Sequence, residues 1–377
     1  MYEEKKWIWQ HHNFPDFRYN SAKFLSLLSE ISKKSGKLEG ILESIKHYDN
    51  NFLEIDSTTK EIVESSQIEG EVLNRDSVRS SILKRLEKDD DTKDYSTKET
   101  DGLVELFLDS SQNHQPLTHE RLFGWHNTLF PSGYSGLYKI EVAKYRSEEI
   151  SVVSQKSSKE KIHYAALSPQ NVFAEMETFL EYINTAKENP YIKTAIVHLW
   201  FLTIHPFDDG NGRIARTLTN YILAKEFSQK HYYFSISTAI AKDKKNYYNL
   251  LENTQKILQN SDLNIESWIE WHSTMILKAI EHSLSQIQKV MEKTAFWDRA
   301  RKHSLNVRQI KVLNKLLDFG SDEFEGGLNA KKYISMTKTS TATAKRDISD
   351  LVEKGLLVKV DGSAGRNTRY VVHFTDK

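Results

Sequence analysis

The sequence predicts a mainly α-helical chain that carries one small β-hairpin and ends in a separate helix-turn-helix followed by a second hairpin. Three observations predict it. Only six prolines and 15 glycines interrupt 377 residues, and the abundant Leu, Ile, Glu and Lys favour helices. Apolar residues recur at helical spacing along most of the chain. Strand-like alternation is short, at Ile150, Val152 and Ser154.

Taken in order, residues 21–56 place Phe24, Leu25, Leu28, Ile31, Leu38, Ile41, Leu42 and Ile45 on helical faces. "SSQIEGEVLNRDSVRSSILKRLEK" gives two helical pieces around Gly70, and "EKDDDTKDYSTKE" reads as a surface loop. A helix is expected from Thr100, up to a turn at "FPSGYSGLY", and then the hairpin "KYRSEEISVVSQ". "LSPQNVFAEMETFLEYINTA" starts a helix with Ser168 as N-cap and Pro169 at its first position. "YIKTAIVHLWFLTIHPF" is so continuously apolar that it must be buried on most sides. "GRIARTLTNYILAKEF" is the next helix. Near the C-terminus "NVRQIKVLNKLLDFG" reads as a helix closed by Gly320, followed by helix, turn, helix and a hairpin with Asp-Gly and Gly-Arg at its tip. Four segments are expected: 1–95, 96–285, a linker helix at 286–302, and 303–377.

Composition narrows the function. Hydrophobic residues make up 38% and aromatic residues 11%, enough for packed cores. The formal net charge is zero, so attraction to nucleic acid or membrane must be local. The absence of cysteine excludes disulfides and thiolate metal sites and fits a reducing compartment. "MYEEKKWIWQHHNF" has no apolar signal core, and no run of about eighteen apolar residues appears. The expectation is a soluble cytoplasmic protein with no membrane partner.

One stretch concentrates chemistry: "TIHPFDDGNGRIARTL", Thr203–Leu218. A helix that begins after Gly210-Asn211-Gly212 offers free N–H groups and a positive dipole end, and its glycines let a ligand approach the backbone. Such a turn is a nest for phosphate oxygens. Arg213 and Arg216, three residues apart, fall near one face and suit a polyphosphate. Asp208 or Asp209 could supply the carboxylate of a Mg²⁺ ion bound with a nucleotide. His205, just ahead of the nest, is placed to act as general base for a hydroxyl attacking phosphorus. Pro206 sets the chain direction there, and Phe207 anchors the loop.

"HPFDDGNGRIAR" matches H-x-F-x-(D/E)-G-N-G-R-x-x-R, and over roughly Thr100–Ile280 the chain resembles the Fic domain family. The resemblance implies a helical Fic core with a β-hairpin flap, and transfer of AMP from ATP to a Tyr, Thr or Ser hydroxyl of a target protein with release of pyrophosphate. It implies His205 as base, Asp209 as the Mg²⁺ ligand, and Gly210, Asn211 and Gly212 along the α- and β-phosphates. Arg213 would hold the β-phosphate side and Arg216 the γ-phosphate. "KYRSEEISVVS" resembles the flap that docks the target as an added strand, with Tyr145, Arg146, Ile150 and Val152 as its docking residues. "KKNYYNLLENTQ" resembles the helix of the adenine pocket, which implicates Tyr247 and Tyr248. Fic proteins of this shape are often homodimers. Some relatives transfer phosphate or phosphocholine instead, but the complete glycine and arginine set favours AMP transfer.

"SSQIEG" has Ser65, Glu69 and Gly70 at the spacing S/T-x-x-x-E-G/N. In the family this marks an inhibitory helix whose glutamate pairs with the second arginine, here Arg216, and so displaces the γ-phosphate. The same glutamate can support removal of AMP. The aromatic-rich "KWIWQHHNFPDFRYN" resembles the region that precedes some bacterial Fic domains. Its neighbouring His11 and His12 lack further ligands for a metal.

The C-terminal stretch "TSTATAKRDISDLVEKGLLVKV" with "GSAGRNTRYVV" resembles a winged helix-turn-helix, with Thr339–Lys354 as recognition helix and Asp361–Arg369 as wing. Residues 326–377 hold 10 basic and 5 acidic side chains. Lys345, Arg346, Arg366 and Arg369 could meet phosphates, which leaves DNA binding open. An alternative to the enzyme is therefore a nucleotide-sensing, DNA-binding transcriptional regulator; the intact His205 favours the enzyme.

Overall fold

The structure, a computed structural model, describes residues 6–44, 47–86, 93–156, 159–227, 233–323, 327–363, 365 and 368–374. Residues 87–92 of the charged run expected as a surface loop lie outside the described residues, as does Arg366. The chain divides into two units, Met1–Ser283 and Leu284–Lys377.

In the first unit, α1 (Leu25–Ser44) and α2 (His47–Ile68) are followed by α3 (Arg75–Arg85), α4 (Lys98–Gln112) and α5 (His119–Leu129). Asn74, Thr97 and Thr118 cap α3, α4 and α5 with side-chain oxygens that accept first-turn N–H groups. A two-residue pair, β1 (Tyr134–Ser135) with β2 (Tyr138–Lys139), precedes the main hairpin, β3 (Ser151–Lys156) with β4 (Lys159–Ala165). A bulge at Val152/Val153 breaks the register of that hairpin.

Next come α6 (Pro169–Thr185) and α7 (Pro190–Ile204). Every residue of α7 from Tyr191 to Ile204 is buried, as its unbroken apolar pattern requires. Helix α8 (Asn211–Glu226) packs against α7 and α4, so the loop between α7 and α8 is held at both ends by the core. Helices α9 (Ile236–Lys242) and α10 (Lys244–Thr254) follow.

Buried Glu61 of α2 joins these parts. Its carboxylate accepts from Ser235 Oγ (2.8 Å), Ser237 N (2.9 Å) and Ser237 Oγ (2.6 Å), which ties α2 to the N-terminus of α9. The N-terminal aromatic segment packs as a strap. Trp7 meets Tyr164 edge-on at 5.2 Å, Trp9 Nε1 donates to Ala165 O (2.9 Å), and Ile8 N donates to Gln255 O (2.9 Å). Its aromatics thus brace the base of the β3–β4 hairpin.

Helix α11 (Glu266–Ala300) is a single helix that runs through the boundary expected at residue 285. The second unit adds α12 (Val307–Glu323), α13 (Ala330–Thr337), α14 (Thr341–Glu353), β5 (Leu357–Lys359) and β6 (Tyr370–Val372). Gly320 does not close α12, which continues to Glu323. An interior glycine costs a helix only about 1 kcal/mol relative to Ala. The core of this unit gathers Phe296, Val312, Leu313, Leu316, Tyr333, Ala344, Ile348 and Leu351.

Candidate active site

The helix α7 ends on His205, which takes left-handed backbone angles (φ 53°, ψ 60°) and donates its N–H to Phe201 O (2.9 Å). That reversal directs the imidazole out of the buried helix. His205 Nδ1 lies 3.3 Å from Leu202 O. A carbonyl only accepts, so Nδ1 carries the proton and Nε2 is left as the basic nitrogen. Burial lowers the imidazole to about 4, and the nearby Arg146 cation works in the same direction. The ring is therefore neutral at physiological pH, the state a general base needs.

Arg146 braces this turn. Its Nε donates to His205 O (2.7 Å), Nη1 to Glu148 O (2.8 Å) and Nη2 to Leu167 O, while its backbone N–H donates to Pro206 O (2.9 Å). Arg146, expected among the docking residues of the flap, is instead buried and occupied by backbone carbonyls. Tyr145 is turned inward as well. Its hydroxyl lies 2.8 Å from His119 Nδ1, and its ring packs against Phe123 at 4.8 Å and Phe207 at 5.5 Å. Both residues precede β3, so neither belongs to the hairpin. Ile150 stands at the hairpin's start, where its carbonyl accepts from Ala166 N (3.0 Å). Val152 is the exposed strand residue that lines the cleft.

The loop after His205 is clamped by Asn211. Its Oδ1 accepts from Phe207 N (3.0 Å), and its Nδ2 donates to Phe207 O (2.8 Å). The Asn211 side chain, expected along the phosphates, is thus spent on the loop. Gly210 caps α8 with φ +80°, and a Cβ there would come within 2.6 Å of Leu129 and 2.8 Å of Phe130. From Asn211 on, the first-turn N–H groups of α8 have no intrahelical acceptor. The loop is also held from below by His126. Its Nε2 lies 3.2 Å from Asp209 O, its Nδ1 accepts from Ala143 N (3.2 Å), and its ring stacks on Phe207 at 4.2 Å. Burial lowers His126 to about 4, so it acts here as a neutral strut.

The two arginines of α8 are buried and each meets a carboxylate from the end of α2. Arg216 Nη2 donates to Glu69 Oε1 (2.8 Å) and to Ser65 O (2.8 Å), and its Nε donates to Ser65 Oγ (2.9 Å). Burial opposes the Arg216 cation, but Glu69 outweighs it and the guanidinium shifts upward. Arg213 Nη1 donates to Glu71, and its guanidinium lies 4.9 Å above the Phe130 ring.

The chain at the end of α2 explains why both acids face the arginines. Gly70 takes φ +91°, Gly70 N donates to Gln67 O (3.1 Å), and Glu71 N donates to Ser66 O (3.0 Å). This glycine-closed helix end sets Glu69 and Glu71 on either side of the turn. Gly212 makes room for Glu69: a Cβ there would lie 2.0 Å from Glu69 Oε1. Arg213 Nε and Arg216 Nη1 are buried with no hydrogen-bond partner among the described residues. Each is a spare donor of the kind an anion satisfies.

His205, the first turn of α8 and Glu69 open on a cleft of about 440 Å³ lined also by Val152, Asp209 and Tyr248, with Tyr247 at its back. That volume suits a small-molecule ligand. Tyr247 is buried, stacked on Trp271 at 5.4 Å, with its hydroxyl 3.1 Å from His198 Nε2. Tyr248 is half exposed and donates to Ile68 O (3.0 Å), which links the aromatic wall to the end of α2. Asp209 Oδ2 accepts from Ser135 Oγ, and Asp208 Oδ2 accepts from Glu141 N (2.8 Å). Among the described residues no cluster of three or more His, Asp or Glu could hold a metal by itself. A lone carboxylate beside an anion nest does fit Mg²⁺, which takes one or two carboxylates together with phosphate oxygens.

Four groups of this site carried no sequence assignment or the wrong one: His126, Ser135, Arg146 and Glu71. Only Glu71 had a signal, its position two residues beyond Glu69.

Residues 116–223 match the family described as Fic/DOC, and residues 7–87 match a domain of unknown function, DUF4172. The chain is 28% identical over 210 residues to the protein adenylyltransferase and cysteine protease IbpA of Histophilus somni, which covers 54% of this chain and 5% of IbpA. It is 34% identical over 65 residues to the protein adenylyltransferase fic-1 of Caenorhabditis elegans, covering 16% of this chain and 13% of fic-1. The chain thus spans a small part of these curated relatives. In fold it is similar to the crystal structure of a Fic family protein from Desulfovibrio desulfuricans G20, with a TM-score of 0.57 and 17% identity over 96% of this chain and 99% of the other. A Fic domain-containing signaling protein from Bacteroides thetaiotaomicron gives a TM-score of 0.52 at 20% identity, covering 69% of this chain and 97% of the other.

Proposed function

Residues 116–223 are a Fic/DOC family domain, and from that premise we propose that the chain is a protein adenylyltransferase held in check by its own α2 helix. The observation that carries the proposal is a cleft that brings together a neutral His205, the N-terminus of α8 and Glu69, while the buried Arg213 and Arg216 of α8 are held by carboxylates of the same chain.

In this reading His205 Nε2 takes the proton from a Tyr, Thr or Ser hydroxyl of a target protein. The hydroxyl oxygen forms a bond to the α-phosphorus of ATP, the bond from that phosphorus to the bridging oxygen breaks, and pyrophosphate leaves. Charge that develops on the phosphoryl oxygens is met by the first-turn amides of α8 and by Arg213 and Arg216, all fixed before the reaction begins. Arg146, His126 and the Asn211 clamp hold that geometry. Mg²⁺, taken by Asp209 together with phosphate oxygens, would add charge neutralisation. Val152 and the β3 edge would receive the target segment by strand addition.

The same reading gives the latch its role. Glu69 occupies the arginine meant for the terminal phosphate, and Glu71 occupies its neighbour. Nucleotide must displace both before it sits productively. Mass spectrometry of proteins incubated with ATP, Mg²⁺ and the Glu69→Gly variant tests the proposal. AMP on a hydroxyl side chain supports it. Bound ATP without any such adduct, on this chain or on proteins of the cell it comes from, would count against it.

A further inference from the structure

A second cavity, of about 510 Å³, lies between the N-terminal strap, α6 and α7, and shares no lining residue with the active-site cleft. Three elements build it. Helix α6 contributes Glu181 and Tyr182 together with Thr178 and Thr185, which recur at three and four residues and so share one face. Helix α7 contributes Trp200. The strap contributes Asp16, Phe17 and Tyr19. Alternate side chains of an extended segment leave on opposite sides, so Phe17 and Tyr19 turn the same way and Arg18 between them does not. Arg18 is exposed and absent from the cavity wall, and its backbone pairs with Leu263 O (2.9 Å) and Ile265 N (3.0 Å).

The walls are aromatic and the charges are all negative. Trp200 meets Phe17 at 6.2 Å with 78° between the ring planes, and Tyr182 at 5.5 Å with 61°. The rings thus stand as steep walls rather than a flat stack. Glu188, in the turn between α6 and α7, accepts from Tyr19 Oη (3.1 Å) and from Tyr182 Oη, which fixes its carboxylate beside the rings. Asp16 and Glu181 are exposed at the same cavity. No Lys, Arg or His lines it. Among the described residues no ion pair engages Asp16, Glu181 or Glu188. A chain of zero net charge therefore gathers carboxylates and aromatic rings around one hollow and keeps its cations out.

We propose that this cavity binds an aliphatic polyamine, a flexible chain that carries two or more ammonium groups. Primary ammonium groups donate charge-assisted hydrogen bonds to carboxylates. The ring faces attract the same cations, and the methylenes between the charges pack against the aromatic walls. A single metal ion does not fit, because among the described residues no three acidic or histidine side chains come close enough to share one. The negative charge is spread out, as the positive charge of a polyamine is. A quaternary ammonium could use the rings but has no proton to donate to Glu188. The volume falls in the range of small-molecule pockets, which favours a free polyamine over a lysine-rich protein segment.

Isothermal titration of the full chain with spermidine in low-salt buffer tests this, with n-butylamine, Mg²⁺ and a lysine-rich peptide titrated in parallel. The expected result is saturable one-site binding of spermidine, about tenfold tighter than n-butylamine, which offers a single ammonium. Asp16→Asn/Glu181→Gln should weaken spermidine about tenfold by removing two charges. Phe17→Leu, which removes one ring and stays apolar, should weaken it about two- to fivefold. Both variants should keep the circular dichroism spectrum of wild type. The proposal is overturned if spermidine shows no saturable binding, if the double variant binds it as wild type does, or if Mg²⁺ binds as tightly. Tighter binding of the lysine-rich peptide than of spermidine would overturn it too, and would point to a basic protein partner.

Discussion

Replacing Glu69 by glycine tests the latch most sharply. In the native chain Arg216 holds three contacts to α2, of which two go to Ser65 and survive the substitution. The change therefore removes one charge-assisted hydrogen bond, from a carboxylate whose side chain is 29% exposed. Such a bond contributes about 1.5–3 kcal/mol, and partial exposure puts this one toward the lower end. Nucleotide no longer has to displace Glu69, so apparent ATP affinity should rise roughly tenfold or somewhat more, at about 1.4 kcal/mol per factor of ten. The apo protein should lose stability in step, because a buried cation has lost its counter-charge. Isothermal titration with ATP and Mg²⁺, alongside thermal melts with and without nucleotide, measures both. The variant should melt a few degrees lower without ATP and gain more than wild type when ATP is added. Unchanged ATP affinity, with an unchanged apo melting temperature, would refute the idea that Glu69 competes with the nucleotide for Arg216.

Three further outcomes follow from the site. Glu71→Gln should relieve the second contact with a smaller effect, within about fivefold in ATP affinity by the same titration, since the Glu71 side chain is 41% exposed and surface pairs contribute at most about 1 kcal/mol. In the Glu69→Gly background, kcat/KM for AMP transfer should stay flat from neutral pH down to about 5. It should fall only near pH 4, because burial lowers His205 to about 4 and the base acts unprotonated; an acid limb centred near the ordinary histidine value of about 6.5 would contradict this. Arg146→Ala should lower kcat more than it changes ATP affinity, since it frees the His205, Glu148 and Leu167 carbonyls and leaves Arg213 and Arg216 untouched. Arg146→Lys should restore little, because one ammonium cannot reproduce the guanidinium fork.

How much of this was legible in the sequence depends on how local each feature is. The run from His205 to Arg216 is contiguous, so its nest, arginines and histidine could be read together. The burial of α7 followed from its pattern alone. The contact between Glu69 and Arg216 was legible only through a short spaced motif, because nothing local to Glu69 points 147 residues onward. Arg146 and His126 were not legible. Each is fixed by hydrogen bonds to backbone groups distant in sequence, and backbone groups leave no residue signature. Tyr145 was drawn into the hairpin by its neighbours, yet it has the opposite parity to Ile150 and Val152, so it never shared their face. Asn211 was read as a ligand-facing amide because its role in the loop clamp depends on a turn that the sequence does not show. In the C-terminal unit the charge count was legible, but the inward turn of Asp347 and Asp350 appears only once α12 and α14 are packed.

The most direct test of the central claim is parallel labelling of proteins with α-³²P- and γ-³²P-labelled ATP, using Glu69→Gly and Glu69→Gly/His205→Ala. The account predicts protein-bound label from the α-position only, and its loss when His205 is removed. Label from the γ-position, or α-label that survives without His205, would contradict AMP transfer by this site.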